Sequence, residues 1–246
     1  VSPGLEAFAQ FEDWYQTPLG REVAAQEAAC LEGMLEGIFG HYLLQVGGVA
    51  GFGEVVAASP IRHRILLPAA VHRAELGMQI VASPEHLPVA SDSLDAVLLA
   101  HSLDFAPDPR QVLREAERVL IPEGRLLILG FNALSPWGLW SLARPGGRVP
   151  WCGHFLTRYR VGDWLSLLGF DVESQRMLMF RPPWPGWSSY LDGAGRRFWP
   201  ALGAVYAIRA VKRVSTLTPL RPSWKTRRKL LPGSAVEPTT RGNTHG

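Results

Sequence analysis

Residues 87–132, LPVASDSLDAVLLAHSLDFAPDPRQVLREAERVLIPEGRLLILGFN, decide the fold. The run AVLLA lies inside a stretch, Asp95–Phe105, that reads as a strand buried on both faces, as strands of parallel sheets are. Asp108 is placed to cap a helix and Pro109 suits its first turn. Val112, Leu113, Ala116, Val119 and Leu120 recur at helical spacing, while Arg114, Glu115, Glu117 and Arg118 fall on the opposite face. Pro122 and Gly124 end that helix. RLLILGF (125–131) is the next apolar run, and the whole is a strand, a helix and a strand.

The same alternation extends outward. HYLLQV (41–46) is a short apolar run that ends in Gly47-Gly48, and HRILL (63–67) and QIVA (79–82) are two more strands. Upstream, residues 7–40 read as helical through Ala24, Ala28, Leu31, Leu35 and Ile38. Thr17-Pro18 is a helix-start signal, and Gly40 can close the helix. Downstream, helices are expected at about 136–144 and 157–168, then strands at 170–178 and 202–213. With no long crossover between them, these last two strands predict an antiparallel hairpin at one edge. Strands alternating with helices predict a doubly wound, mostly parallel sheet with helices on both faces.

The chain has 246 residues, 47% of them hydrophobic and 19% charged, which is ample for a buried core and excludes disorder over most of its length. The net charge of +3 conceals an uneven distribution. Residues 209–246 carry nine Lys and Arg and a single acid, Glu237, whereas residues 1–208 are net acidic. Two cysteines, Cys30 and Cys152, exclude a disulfide framework, and the seven scattered His form no metal-binding pair, so no metal is expected. Acidic residues near the start argue against a secretory signal and for a cytoplasmic protein. The longest uncharged run, Leu126–Ala143, approaches the length of a membrane span. Its Gly130, Asn132, Ser135, Pro136, Gly138 and Ser141 instead read as strand, loop and helix.

Residues 87–132 closely resemble the middle of class I S-adenosylmethionine (SAM)-dependent methyltransferases of the type-11 kind, whose pattern runs roughly LPFPDxSFDxVxxxxxLEHxPDPxxxLxExxRVLxPGGxLxI. WYQTPLG, SPWGLWSLARP, RYRVGDWLSLLGFDV and ALGAVYAIRAVKR are similar to a proteobacterial subgroup of such proteins without an assigned substrate. The resemblance covers roughly residues 11–213. It implies a Rossmann-like sheet of seven strands, SAM as cofactor, and methyl transfer to a small-molecule acceptor. It also implies an organisation of an N-terminal helical segment (1–40), a methyltransferase-like domain (41–213) and a basic, unstructured tail (214–246).

The family's acidic, three-glycine loop is Gln45-Val46-Gly47-Gly48-Val49-Ala50-Gly51 here. Gly47 and Gly51 match two of the glycines, Gln45 replaces the acid, and Val49 stands at the middle glycine. The end of the second strand, Ile65-Leu66-Leu67-Pro68, lacks the family's ribose-holding acid. Ser83 takes the place of an Asp near the adenine. The resemblance therefore assigns the cofactor to Gln45, Gly47, Gly48, Gly51, Ser83, Glu85 and His101, with weak binding. His101, at the carboxyl end of the fourth strand, is the expected general base. Asp104, Asn132, Trp137 and Trp140 are expected to border a substrate region.

Seven of the nine tryptophans fall between 137 and 199. The segment after the fifth strand is thus expected to form a lid for a hydrophobic acceptor. Asp95 is expected to cap or bridge the sheet margin. Two other readings stand beside the enzyme. One is a methyltransferase-like binding or regulatory module that has lost catalysis. The other is a nucleic-acid binder driven by the tail, which composition favours least; contact with an anionic membrane surface is the other use open to that tail.

Overall fold

Period-two alternation in AVLLA sends Ala96, Leu98 and Ala100 to one face of the sheet and Val97 and Leu99 to the other, and all five are buried. The computed structural model describes residues 10–47, 50–67, 78–79, 82–143, 150–183 and 190–213. The chain divides into Val1–Val214 and Ser215–Gly246, and every described residue lies in the first unit.

The elements run α1 (Pro18–Leu35), β1 (Tyr42–Gly47), α2 (Ala50–Ala58), β2 (His63–Leu67), β3 (Met78–Gln79), β4 (Leu94–Ala100), α3 (Ser102–Phe105), α4 (Pro109–Val119), β5 (Leu120–Phe131), α5 (Pro136–Leu142), α6 (Arg158–Leu167), β6 (Phe170–Leu178), α7 (Tyr190–Phe198) and β7 (Val205–Lys212). The seven strands are ordered β3-β2-β1-β4-β5-β7-β6. The first five are parallel, and β7 is antiparallel to both β5 and β6. This is the seven-stranded, mostly parallel sheet that the resemblance implies.

One face packs under α1 and α2, with Leu43, Leu98, Leu127 and Leu129 meeting Val23, Leu31, Met34, Phe52 and Val56. The other packs under α4 and α6, with Leu44, Val97, Leu99 and Ile128 meeting Val112, Leu113, Val161 and Leu165. Each such side chain withdrawn from water contributes about 1.5–3 kcal/mol before conformational entropy is counted. The alternation of short buried strands with one-sided helices is thus what makes two layers of helix around one sheet.

Local chemistry moves several boundaries. The helix expected over 7–40 is divided at Gln16-Thr17. Pro18 pushes the preceding residue into an extended conformation, and Thr17 (ψ 156°) accepts at Oγ1 from the Gly20 N–H, 3.1 Å away. Residues 10–14 form a separate helical turn. The helix closes at Leu35 rather than at Gly40, with Gly37 (φ 74°) taking the left-handed position beyond it. Gly40 is instead pressed against Asp95, whose Oδ2 accepts from the His41 and Tyr42 N–H groups at 2.8 and 2.9 Å. Asp95 thus ties β4 to the start of β1, as its place at the sheet margin suggested.

The fourth strand stops at Ala100, because His101 turns left-handed and starts α3. The third strand is described only at Met78–Gln79. The last two strands pair antiparallel at the edge as expected, but α7 lies between them in the chain, and β7 inserts between β5 and β6. Arg209 and Lys212, which the charge reading grouped with the basic end, are β7 residues. Lys212 is buried and donates to Asp92 Oδ1 (2.9 Å) and to the carbonyls of Glu117 and Leu120 (both 2.8 Å). The uncharged run 126–143 is divided among β5, a turn and α5. Among the described residues no helix is long and apolar enough to cross a membrane. The expectations for 214–246 lie outside the described residues.

Candidate active site at the carboxyl edge of the sheet

β1 sits between β2 and β4, where the order of strands reverses, and in open α/β sheets ligands bind at such a point, beyond the carboxyl ends of the strands. β1 ends in Gly47, whose φ of 71° is a conformation that glycine alone adopts without cost. The Gln45 side chain, almost wholly buried, donates through Nε2 to the Gly47 carbonyl at 2.9 Å and so pins that turn. Helix α2 begins at Ala50, directing its N-terminal amides toward the same edge. Gly48 lies outside the described residues. Gly51 lies in the first turn of α2.

The end of β2 does not offer a carboxylate, since Leu67 is buried in the core. Ser83 and Glu85 lie in the loop before β4 and serve the local backbone. Ser83 Oγ accepts from the Glu85 N–H at 3.3 Å, and Glu85 Oε1 accepts from the Asp108 N–H at 2.7 Å, beside the cap of α4.

The most unusual arrangement follows β4. His101 follows Ala100, which is in register with Gly47, and its N–H donates to the Leu129 carbonyl of β5 at 2.9 Å. His101 has φ 57°, a left-handed conformation in which His is several-fold enriched over most residues. Its ring is fully enclosed. Nδ1 lies 2.8 Å from Asp104 Oδ2, and Nε2 lies 2.9 Å from Glu27 Oε1 of α1. Glu27 Oε2 in turn accepts from the Tyr15 hydroxyl at 2.6 Å, and Asp104 Oδ2 also accepts from the Phe131 N–H at 3.0 Å. Tyr15, Glu27, His101 and Asp104 are all buried.

Burial by itself disfavours the imidazolium. The charge of Glu27 and the hydrogen bonds to Asp104 and Glu27 outweigh that and push His101 up to about 9. At neutral pH the ring is therefore protonated and donates at both nitrogens. Burial also raises Asp104, with His101 pulling the other way, and burial beside Glu27 raises Tyr15 well above the usual tyrosine range. Asp104 Oδ1 has no hydrogen-bond partner among the described residues.

The general-base expectation for His101 meets this geometry directly, because the ring has no free lone pair facing an acceptor. Asp104 sits in the same network. Asn132 is buried and bridges loops, donating to the carbonyls of Ala201 and Gly203 at 3.0 and 2.9 Å. Trp137, expected at a lid, is fully buried. Its Nε1 donates to the Arg181 carbonyl at 2.8 Å, and its ring lies 5.4 Å from Trp151 and 6.0 Å from Phe131. Trp140 is half-buried on α5. Trp184 and Trp187 lie outside the described residues.

The structure brings Gln45, Gly47, His101 and Asp104 to one edge, beside an aromatic group of Phe11, Phe105, Phe131 and Phe155. A groove of about 570 Å3 lies instead at the opposite edge, between the C-terminal ends of α1 and α2.

Tyr15 and Glu27 are the site residues that sequence reasoning missed. A signal existed. Val23, Glu27, Leu31 and Met34 share one stripe of α1, so Glu27 places a carboxylate on the face that packs against the sheet. A carboxylate on such a face is rarely buried without a partner.

A methyltransferase-domain profile matches residues 39–128, which span β1 to β5. The chain is 33% identical over 213 residues to the uncharacterized protein YafS of Escherichia coli K12, covering 85% of each. Among solved structures it is similar to a SAM-dependent methyltransferase of Thermotoga maritima described as a possible histamine N-methyltransferase. There the TM-score is 0.66 at 19% identity, over 85% of this chain and 100% of that one. A geranyl diphosphate C-methyltransferase of Streptomyces coelicolor, bound to S-adenosyl-L-homocysteine (SAH), matches at a TM-score of 0.54 and 15% identity, over 76% of this chain and 77% of that one. These two likenesses are of fold. With strand order, glycine turn and profile in agreement, the chain carries a methyltransferase domain over residues 39–128 and belongs to one family with YafS.

Proposed function

We propose that this protein transfers a methyl group from SAM to a small, largely apolar acceptor. The observation that carries the reading is Gly47, left-handed at the carboxyl end of β1, at the strand-order reversal and before the N-terminus of α2. That turn lets backbone approach a nucleoside without a Cβ in the way. The residues present fit such a ligand through backbone and amide groups, with Gln45 in place of a carboxylate.

The cofactor, when bound, supplies a methyl that is already electrophilic. What remains for the chain is to align the acceptor and exclude water. The half-buried Phe155 and Trp151, in the loop after α5 and backed by the buried Phe131 at the end of β5, supply an apolar wall for that purpose. His101 keeps its proton between two carboxylates, so its part is to shape the wall rather than to take a proton. This suits acceptors whose reacting atom needs no strong base.

Affinity for the cofactor is expected to be weak. A hydrogen bond to a charged group contributes about 1.5–3 kcal/mol against about 1 for a neutral one, so the neutral Gln45 and apolar Leu67 together cost on the order of 10- to 100-fold.

Titration calorimetry with SAM and SAH tests the reading. Saturable binding that is lost in Gly47→Val supports it. A folded sample with no heat and no thermal shift up to millimolar cofactor turns the protein into a methyltransferase-like module without the activity.

A further inference from the structure

The buried network joins parts of the chain that the methyltransferase fold does not by itself bring together. Tyr15 precedes α1, Glu27 lies within it, and His101 and Asp104 bracket the turn that leaves β4. The same turn touches the glycine end of β1, because Ser102 Oγ donates to the Val46 carbonyl at 2.6 Å, one residue before Gly47. A chain of contacts therefore runs from the N-terminal segment to the cofactor crevice.

Three features distinguish this network from ordinary core polarity. The His101 backbone is left-handed, a conformation that persists when its surroundings over-determine it. Both ring nitrogens are used, so the ring has one orientation only. Around it are packed Phe131 at 4.5 Å and Phe11 at 4.9 Å between ring centroids, which keep water from replacing either carboxylate. Among the described residues, the titratable groups facing the ring are Glu27 from α1 and Asp104 from α3, with Tyr15 beyond Glu27, and the Phe131 N–H donates to Asp104.

We propose that Glu27, with Tyr15 behind it, is a positioning residue of the cofactor crevice. It acts through His101 to hold residues 101–105 against the end of β1, so that the N-terminal segment is a working part of the site. This rests on the reading that the crevice binds SAM. Glu27 touches no ligand in this proposal, and Asp104 steadies the other side of the same ring.

The test uses the full chain and both SAM and SAH, measured by calorimetry from pH 6 to 10. Glu27→Gln keeps the shape of the side chain but removes its charge. It is expected to weaken both ligands at least tenfold with unchanged circular dichroism. In the wild type, affinity should hold through neutrality and weaken above about 9, where His101 loses its proton. In Glu27→Gln that midpoint should move down toward the ordinary imidazole value. Nitrogen-15 NMR of the His101 ring reports the same shift without any ligand.

Tyr15→Phe, which removes only a hydroxyl, should weaken binding about threefold and serves if the first variant does not fold. Lys212→Met, at the opposite edge of the sheet, should lower thermal stability and leave both affinities in place. Wild-type affinities and an unmoved pH profile in folded Glu27→Gln overturn the positioning role. Absence of any binding by the wild type overturns the cofactor reading, and this inference with it.

Discussion

Glu27 of α1 and His101 at the end of β4 lie 74 positions apart in the chain and meet through a 2.9 Å contact between Oε1 and Nε2, with neither side chain exposed. The pair spans one half of the core, since α1 covers the sheet face on which β4 sits centrally.

Stability should fall as pH rises. The folded value for His101, about 9, lies above its ordinary 6.5, so the protein binds a proton more tightly folded than unfolded. The stabilisation is complete below 6.5 and is lost as pH passes through about 9. Asp104, raised by burial, acts in the same direction at lower pH. Thermal unfolding between pH 6 and 10 should show a declining midpoint, and His101→Gln should flatten the decline. A wild-type midpoint that rises over this range contradicts the charged ring.

Gln45→Glu should separate folding from binding. The carboxylate it introduces could not donate to the Gly47 carbonyl, so the free protein loses a bond of about 1 kcal/mol and gains an acceptor facing an acceptor. A ligand donor would satisfy that carboxylate. The melting temperature of the free protein should drop, and the increase caused by added SAM should grow. Thermal shift with and without cofactor measures both.

Trp137→Ala should cost about 3–5 kcal/mol, because a fully buried ring is removed and the Arg181 carbonyl loses its donor. Trp137→Phe should cost less than half of that. Urea unfolding distinguishes this core role from a lid role, in which either change would leave stability within about 0.5 kcal/mol.

Asp95→Ala should cost about 1 kcal/mol, since the two hydrogen bonds to the His41 and Tyr42 amides are lost but water can reach the freed N–H groups. Gly40→Ala should be destabilising as well, since its methyl would collide with the Asp95 side chain. In the double variant Gly40→Ala/Asp95→Ala most of the clash disappears, so the combined loss should be less than the sum. Chemical denaturation of the four proteins closes that cycle.

Where the sequence was legible, the signal was local. Helix α4 starts at Pro109 behind the Asp108 cap, whose Oδ1 takes the Arg110 and Gln111 N–H groups, and its apolar face is the one expected except for Leu120, which lies beyond its end at Val119 and opens β5. Strands β1, β2, β5 and β7 fall on the apolar runs that announced them. The Thr17-Pro18 signal marked the true start of α1, whereas its end came at Leu35 rather than at Gly40, with Gly37 in the left-handed position beyond it. The antiparallel edge pair of the last two strands formed as expected, but nothing in residues 170–178 and 202–213 states that a helix lies between them or that β7 enters the sheet first.

The candidate site divides along the same line. The sequence alone determined the order of the strands, the helix at 109–119, the glycine turn at Gly47 and the absence of a carboxylate at Gln45 and Leu67. These depend on residues within a few positions of one another, or on a pattern that covers an unbroken stretch. Only the tertiary structure decided the rest. It enclosed His101 between Glu27 and Asp104, turned Trp137 into core, and put Asn132 to work bridging loops. A buried charge is stable only beside partners that offset its lost hydration, and those partners came from residues far apart in sequence. No local pattern encodes such a meeting, because it exists only once α1 is packed against the sheet.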